Sequence, residues 1–184
     1  PSEMCIRDRY VGLEKSHPQS YHTYMHRLLF DHNSWDEDNI YIPNGDASDL
    51  AEEANSYEQR LKAIGQPDIQ LLGIGENGHI GFNEPGTSFE SETRIVDLTA
   101  STIKANSIHF DTMDDVPKQA ISMGLQSIMR AKRIILLAFG ERKQEAIYQL
   151  INGSITETLP ASILQHHTNV EVIVDDVIFK YLNP

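Results

Sequence analysis

The stretch Ile69-Gln-Leu-Leu-Gly73-Ile-Gly75-Glu-Asn77-Gly78-His79-Ile-Gly81-Phe-Asn83-Glu84-Pro85-Gly86 leaves this chain few folds to choose from. An apolar run ends in a glycine-rich bend, and the bend presents an amide, a histidine and a carboxylate in quick succession. A hydrophobic core needs none of these groups. Short apolar runs rich in β-formers and bounded by turn residues suit a buried parallel strand, which is predicted over 69–74. Gly73, Gly75, Gly78 and Gly81 permit positive φ and close approach of backbone to a ligand. In open α/β sheets the ligand crevice lies off the carboxyl ends of the strands. His79 and Glu84 are therefore expected to project into an active site, with Gly75 and Gly78 shaping the substrate-binding backbone beneath them.

Gly73-x-Gly75-x-x-Gly78 also matches the dinucleotide fingerprint, and Asp97 stands where a ribose-binding acid would be sought. That fingerprint requires a helix beginning at the first glycine turn and carrying the third glycine. The residues after Gly78 contain another glycine and a Pro-Gly stop, which cannot sustain such a helix. A catalytic loop fits better than a nucleotide loop, and better than a tight turn holding a buried histidine.

The rest of the chain alternates in the manner of a doubly wound sheet. Helical spacing is expected over 17–30, with Tyr21, Met25 and Leu28 or Leu29 inward. It recurs over 48–64, where Leu50, Ala54, Tyr57, Leu61 and Ile64 share a face and Gly65 ends the helix. An extended segment over 93–98 follows the loop, then a short turn or helix within 121–129. Residues 133–138 form the strongest buried strand, before a helix over 142–151, a helical turn over 159–165 and a strand over 170–174. The predicted class is α/β: a Rossmann-like, open, mostly parallel sheet with helices on both faces. Boundaries read this way carry an error of two to four residues.

The net charge of −12 disfavours nucleic acid and membrane surfaces as partners. It also makes a local cation such as Lys143 necessary if the substrate is an anion. Lys143 follows a strand and a glycine turn at the start of a helix, where its charge opposes the macrodipole and so calls for a reason. The single cysteine, Cys5, rules out an intramolecular disulfide and agrees with a cytoplasmic protein. His22 and His26 have zinc-compatible spacing but lack the accompanying acid or third histidine, so no metal is expected.

The segment Gly73–Gly86 resembles the signature loop of the glucosamine-6-phosphate deaminase family. The likeness continues through Tyr10-Val-Gly-Leu13, His17-Pro18, Met25-His26-Arg27, Pro43-Asn44-Gly45, Tyr57-Glu58, Ala105-Asn106-Ser107, Val116-Pro117-Lys118, Phe139-Gly140 to Lys143 and Pro160-Ala161-Ser162, covering about residues 10–175. The sister 6-phosphogluconolactonases share the fold and the Gly-His, but their loop lacks Asn83-Glu84-Pro85. The resemblance implies conversion of glucosamine 6-phosphate to fructose 6-phosphate and ammonia, with no cofactor, in a single domain open to homo-oligomer formation. A lactonase-like hydrolase and a non-catalytic sugar-phosphate binder are the alternatives.

Ring opening of an amino sugar phosphate moves a proton from the anomeric hydroxyl to the ring oxygen. Histidine suits this because its pKa lies near neutrality. Glu84 is expected to orient one ring nitrogen of His79. Asn77 is expected to steady the opposite side without exchanging protons. The family often has an aspartate at that position.

The next step, loss of the C2 proton, needs a second base, and the register of Tyr10-Val-Gly-Leu13 implies Asp8. Residues 1–9 do not resemble the family's apolar strand and read as a foreign leader. The domain at 10–184 is accordingly expected to lack the family's early strands and its glycine-rich phosphate loop. The family lysine matching Lys143 holds phosphate. Its phosphate-binding arginine is replaced here by Ile108, with Lys104 one helical turn away.

Overall fold

The computed structural model describes residues 4–5, 8–110 and 112–183. In chain order the elements are β1 (Met4–Cys5), β2 (Asp8–Tyr10), α1 (Tyr21–Leu28), β3 (Ile40–Tyr41), α2 (Leu50–Ile64), β4 (Gln70–Gly73), β5 (Arg94–Asp97) and α3 (Ala100–Asn106). They continue as β6 (Gln119–Ser122), α4 (Leu125–Ile128), β7 (Ile134–Ala138), α5 (Gln144–Asn152), β8 (Val170–Val174) and α6 (Asp176–Leu182). The chain forms two compact units, one of Pro1–Gln59 with Thr93–Ser122 and one of Arg60–Glu92 with Met123–Pro184.

In the first unit β6 pairs antiparallel with both β2 and β5, while β1 and β3 pair in parallel. Asp8 lies opposite Ser122 at the start of β2, and its side chain falls outside the described residues. Arg9, next along, is buried and donates from Nη2 to the Leu13 carbonyl at 2.9 Å. Burial pulls its guanidinium below the ordinary arginine range, and the charge of Asp46 offsets this only in part.

The first predicted helix is shorter than its periodicity suggested. Ser20 is the N-cap, its hydroxyl accepting from Thr23 N–H at 3.1 Å, so the helix starts at Tyr21. Pro18 steers His17 away from helical backbone. No residue of α1 is fully buried, but Tyr21, Met25 and Leu29 are half-buried while Leu28 is 52% exposed, so of the two leucines expected inward it is Leu29 that faces in. The buried anchor is Phe30, in the 3-10 turn that follows.

The second unit holds the parallel sheet β4-β7-β8. The strand expected over 69–74 is parallel, but it is covered on one face only. Gln70 and Leu72 point inward while Ile69 and Leu71 do not. The same alternation runs through β7, where Ile134, Leu136 and Ala138 are buried and Ile135 and Leu137 are half-exposed. Leu71 pairs with Ile135 and Leu137 with Ile173, giving a largely apolar face that Glu171, opposite Ile135, interrupts. Leu71 is 60% exposed and Ile173 44%. Parallel sheets are usually covered on both faces; among the described residues the second face of this one is covered only in part, at Ile135 and Leu137.

α2 starts two residues later than predicted; Ala54, Tyr57 and Leu61 are buried as expected, Leu50 is half-buried, Ile64 is exposed, and Gly65 ends the helix at φ +100°. α3 and α6, absent from the sequence reading, are each capped by a side chain: Thr99 accepts from Thr102 N–H, and Asp175 accepts from Ile178 N–H. Among the described residues no helix is long and apolar enough to cross a membrane.

Candidate active site

The carboxyl end of β4 leads directly into the glycine loop, which bonds to itself before it touches anything else. Gly75 N–H donates to the His79 carbonyl at 2.8 Å, and Gly78 N–H to the Gly75 carbonyl at 3.1 Å. Gly78 has φ +81°, a conformation that favours glycine. A β-carbon there would also overlap the side chain of Leu159. Gly75 has ordinary φ but is needed for space, since a β-carbon there would fall on the His79 imidazole. Gly73 shows neither property, so the close-approach role expected of it belongs to Gly75.

The 156–162 segment supports the loop from outside. Ala161 N–H donates to the Gly78 carbonyl at 2.9 Å, and Gly86 N–H to the Glu157 carbonyl at 2.8 Å. Ser162, fully buried, closes that segment by donating to the Thr156 carbonyl and accepting from Thr156 N–H.

Asn83 is a residue whose role the sequence reading did not identify. It is 0% exposed, and its amide donates to the Ile80 carbonyl at 3.0 Å and to the Met123 carbonyl at 2.8 Å. These bonds fasten the glycine loop to the chain just after β6. Asn83→Ala removes two buried side-chain hydrogen bonds, although the Ile80 carbonyl keeps the Asn83 backbone N–H at 3.2 Å. Stability should fall by about 2–3 kcal/mol, read as a lowered denaturation midpoint with unchanged slope. A midpoint equal to that of the unaltered chain would mean the clamp is dispensable.

The loop brings His79, Asn77 and Glu84 together. His79 Nδ1 lies 2.8 Å from Asn77 Oδ1 and 3.5 Å from Glu84 Oε1, and Asn77 Nδ2 donates to Glu84 Oε2 at 2.7 Å. Asn77 Oδ1 also accepts from the His79 backbone N–H at 3.2 Å. Asn77 was expected opposite Glu84 across the ring, whereas both reach the same nitrogen. The two-residue spacing forces this, because the amide must bend back to its near neighbour His79. An amide oxygen can only accept, so Nδ1 carries the proton and Nε2 is the basic nitrogen. Among the described residues nothing bonds to Nε2.

Burial is the main influence on this imidazole and pushes its pKa below the ordinary 6.5. The Glu84 carboxylate acts in the opposite direction, and the nearby Lys143 ammonium lowers the pKa further. The ring is thus neutral and available as a base at neutral pH. Lys143 is half-buried, and burial depresses its own pKa, opposed by the charge of Glu76 and reinforced by Arg142. Arg142 Nη1 pairs with Glu76 Oε1 at 3.1 Å. Lys143 stands at the N-cap of α5, after a 3-10 turn at Glu141–Lys143.

Asp8, Lys104 and Ile108 belong to the first unit, and the His79 cluster and Lys143 to the second. Ile108 is 79% exposed in the 3-10 turn after α3. His22 and His26 stack at 4.3 Å between ring centroids. Among the described residues no three His, Cys, Asp or Glu side chains converge as metal ligands.

Residues 6–174 match the model of the family described as glucosamine-6-phosphate isomerases/6-phosphogluconolactonase. The glucosamine-6-phosphate deaminase of Staphylococcus haemolyticus (strain JCSC1435) is 76% identical over 176 residues, covering 95% of this chain and 73% of that protein. The deaminase of Staphylococcus aureus (strain bovine RF122 / ET3-1) is 62% identical over 170 residues, 92% of this chain and 68% of the relative. Among solved structures, a monomeric glucosamine-6-phosphate deaminase superposes with a TM-score of 0.93 at 46% identity, over 97% of this chain and 74% of its own. The 6-phosphogluconolactonase of Trypanosoma brucei superposes with a TM-score of 0.76 at 16% identity, over 97% and 73%, a likeness of fold alone.

Proposed function

The chain belongs to the family of glucosamine-6-phosphate isomerases and 6-phosphogluconolactonases, and from that premise we propose that it acts as an isomerising deaminase on D-glucosamine 6-phosphate. The products are D-fructose 6-phosphate and ammonia, a reaction of amino-sugar metabolism, carried out in the cytoplasm. The observation that carries this reading is the His79 imidazole, polarised at Nδ1 by Asn77 and Glu84 and left basic at Nε2. High identity to two staphylococcal deaminases favours it over lactone hydrolysis.

In the proposed sequence His79 Nε2 takes the proton of the anomeric hydroxyl and returns it to the ring oxygen, opening the sugar. Glu84 stabilises the transient imidazolium, and Asn77 holds the tautomer. Asp8 then removes the C2 proton. Return of a proton to C1, with an amine proton passing to the C1 oxygen, leaves an imine at C2 and a hydroxyl at C1; water adds at C2 and expels ammonia, leaving the ketone. Lys143 holds the phosphate, and the loop backbone at Gly75 and Gly78 borders the sugar.

Coupled assays for ammonia and fructose 6-phosphate test the reading. The two should appear in equal amounts from glucosamine 6-phosphate, and no acid should be released from a 6-phospholactone. Lactone turnover without ammonia would overturn it.

Asn77→Asp probes the imidazole directly. A carboxylate in place of the amide, 2.8 Å from Nδ1, favours the protonated ring and raises its pKa. His79 then protonates earlier as the pH falls, so the acid limb of the kcat/KM profile should move to higher pH. Replacing the Nδ2 donor also brings two carboxyl groups together at the Glu84 contact, which favours a shared proton. A limb that stays in place or moves to lower pH would show that another group sets it.

A further inference from the structure

We infer that Asp175 is a positioning residue for the phosphate-binding lysine, an inference resting on the proposed role of Lys143. β7 and β8 end side by side, with Ala138 paired to Val174. Asp175 is the first residue after β8, and Gly140 lies two residues past the end of β7. The Asp175 carboxylate bridges the two exits: Oδ2 accepts from Gly140 N–H at 2.7 Å, and Oδ1 accepts from Ile178 N–H at 3.1 Å as the cap of α6.

Gly140 starts the turn that delivers Lys143. Its backbone, at φ +91° and ψ 148°, lies in a region reserved essentially for glycine, so something must hold it there. Its carbonyl in turn accepts from Lys143 N–H at 3.0 Å. Two hydrogen bonds therefore link one Asp175 carboxylate oxygen, through Gly140, to the lysine backbone. The far end of the turn is tied to α6 as well, since Gln144 Nε2 donates to the Val177 carbonyl at 3.1 Å. The middle is tied by Arg142 to Glu76.

Both oxygens of Asp175 accept from backbone N–H groups, first Gly140 and then Ile178, which holds its pKa below the ordinary aspartate range. An amide in the same place would direct N–H against N–H at one of the two contacts. Capping alone could be served by serine, whose single short hydroxyl can reach Ile178 but not Gly140 as well. This separates the positioning role from the structural one.

The test compares kcat and KM for glucosamine 6-phosphate in the unaltered chain, Asp175→Ser, Lys143→Ala and the double variant. Asp175→Ser should raise KM about tenfold with kcat within about twofold, since the lysine contributes binding common to ground and transition states. In the Lys143→Ala background the same change should add nothing further. KM raised by Lys143→Ala but unmoved by Asp175→Ser overturns the inference alone, as does an equal added effect in both backgrounds. KM unmoved by Lys143→Ala overturns the phosphate role of the lysine and this inference with it. Amide hydrogen exchange supplies a readout independent of turnover. Exchange at Gly140 should accelerate in Asp175→Ser while the Ile178 amide stays protected, and an unchanged Gly140 rate would overturn the bridge.

Discussion

His79→Ala should lower the rate of ammonia release by about 10²–10⁴-fold, the range for loss of a positioned general base. Folding should change far less. The side chain is 30% exposed, and its bonds go to the exposed Asn77 and to Glu84, not to a buried network. Removal of a part-exposed side chain of this kind should cost no more than about 1 kcal/mol. The comparison that decides is the fold-loss in turnover against the shift in denaturation midpoint. If both fall together, His79 is a structural residue and the proton shuttle must be sought elsewhere.

Gly75→Ala should be nearly as damaging, for a reason of space. Its backbone φ is one that alanine adopts, so the loop can keep its course. The added β-carbon, however, would meet the imidazole, lying 2.6 Å from Nε2 and nearer still to Cε1 and Nδ1. The ring must rotate away, and the Nδ1 contact to Asn77 is lost with it. Displacement of a catalytic group by an ångström or more costs roughly 10²-fold. The Gly75–His79 backbone bond remains available, so thermal stability should be almost unchanged. An alanine variant with normal turnover would show that the ring does not act from this position.

What could be read from the sequence was mostly local. His79 and Glu84 were identifiable because both lie on one glycine-punctuated loop, so their meeting needs no long-range pairing. The α2 helix and the β7 strand announced themselves by spacing, and Gly65 by its position after the last apolar residue. Asn83 was not identifiable as a clamp, because one of its partners is the carbonyl of Met123, forty residues away. Asp175 is hidden from the sequence for the same reason, its second oxygen reaching Gly140 across 35 residues. The placement of Asn77 was misjudged because the direction in which an amide folds back depends on the turn, which residue types alone do not specify. For α1, helical periodicity outran the cap, and the Pro18–Ser20 segment decided where the helix begins.

The unevenly covered sheet divides the second unit's residues by tolerance to change. Leu72, Ile134 and Leu136 are enclosed, and trimming any of them opens a void. Leu71 and Ile173, one step out of phase, already meet water in this chain. Lysine or threonine at those two sites removes greasy area without touching the interior or the His79 loop. The odd-and-even rhythm of these strands thus marks where a more soluble derivative can be made while its chemistry stays intact.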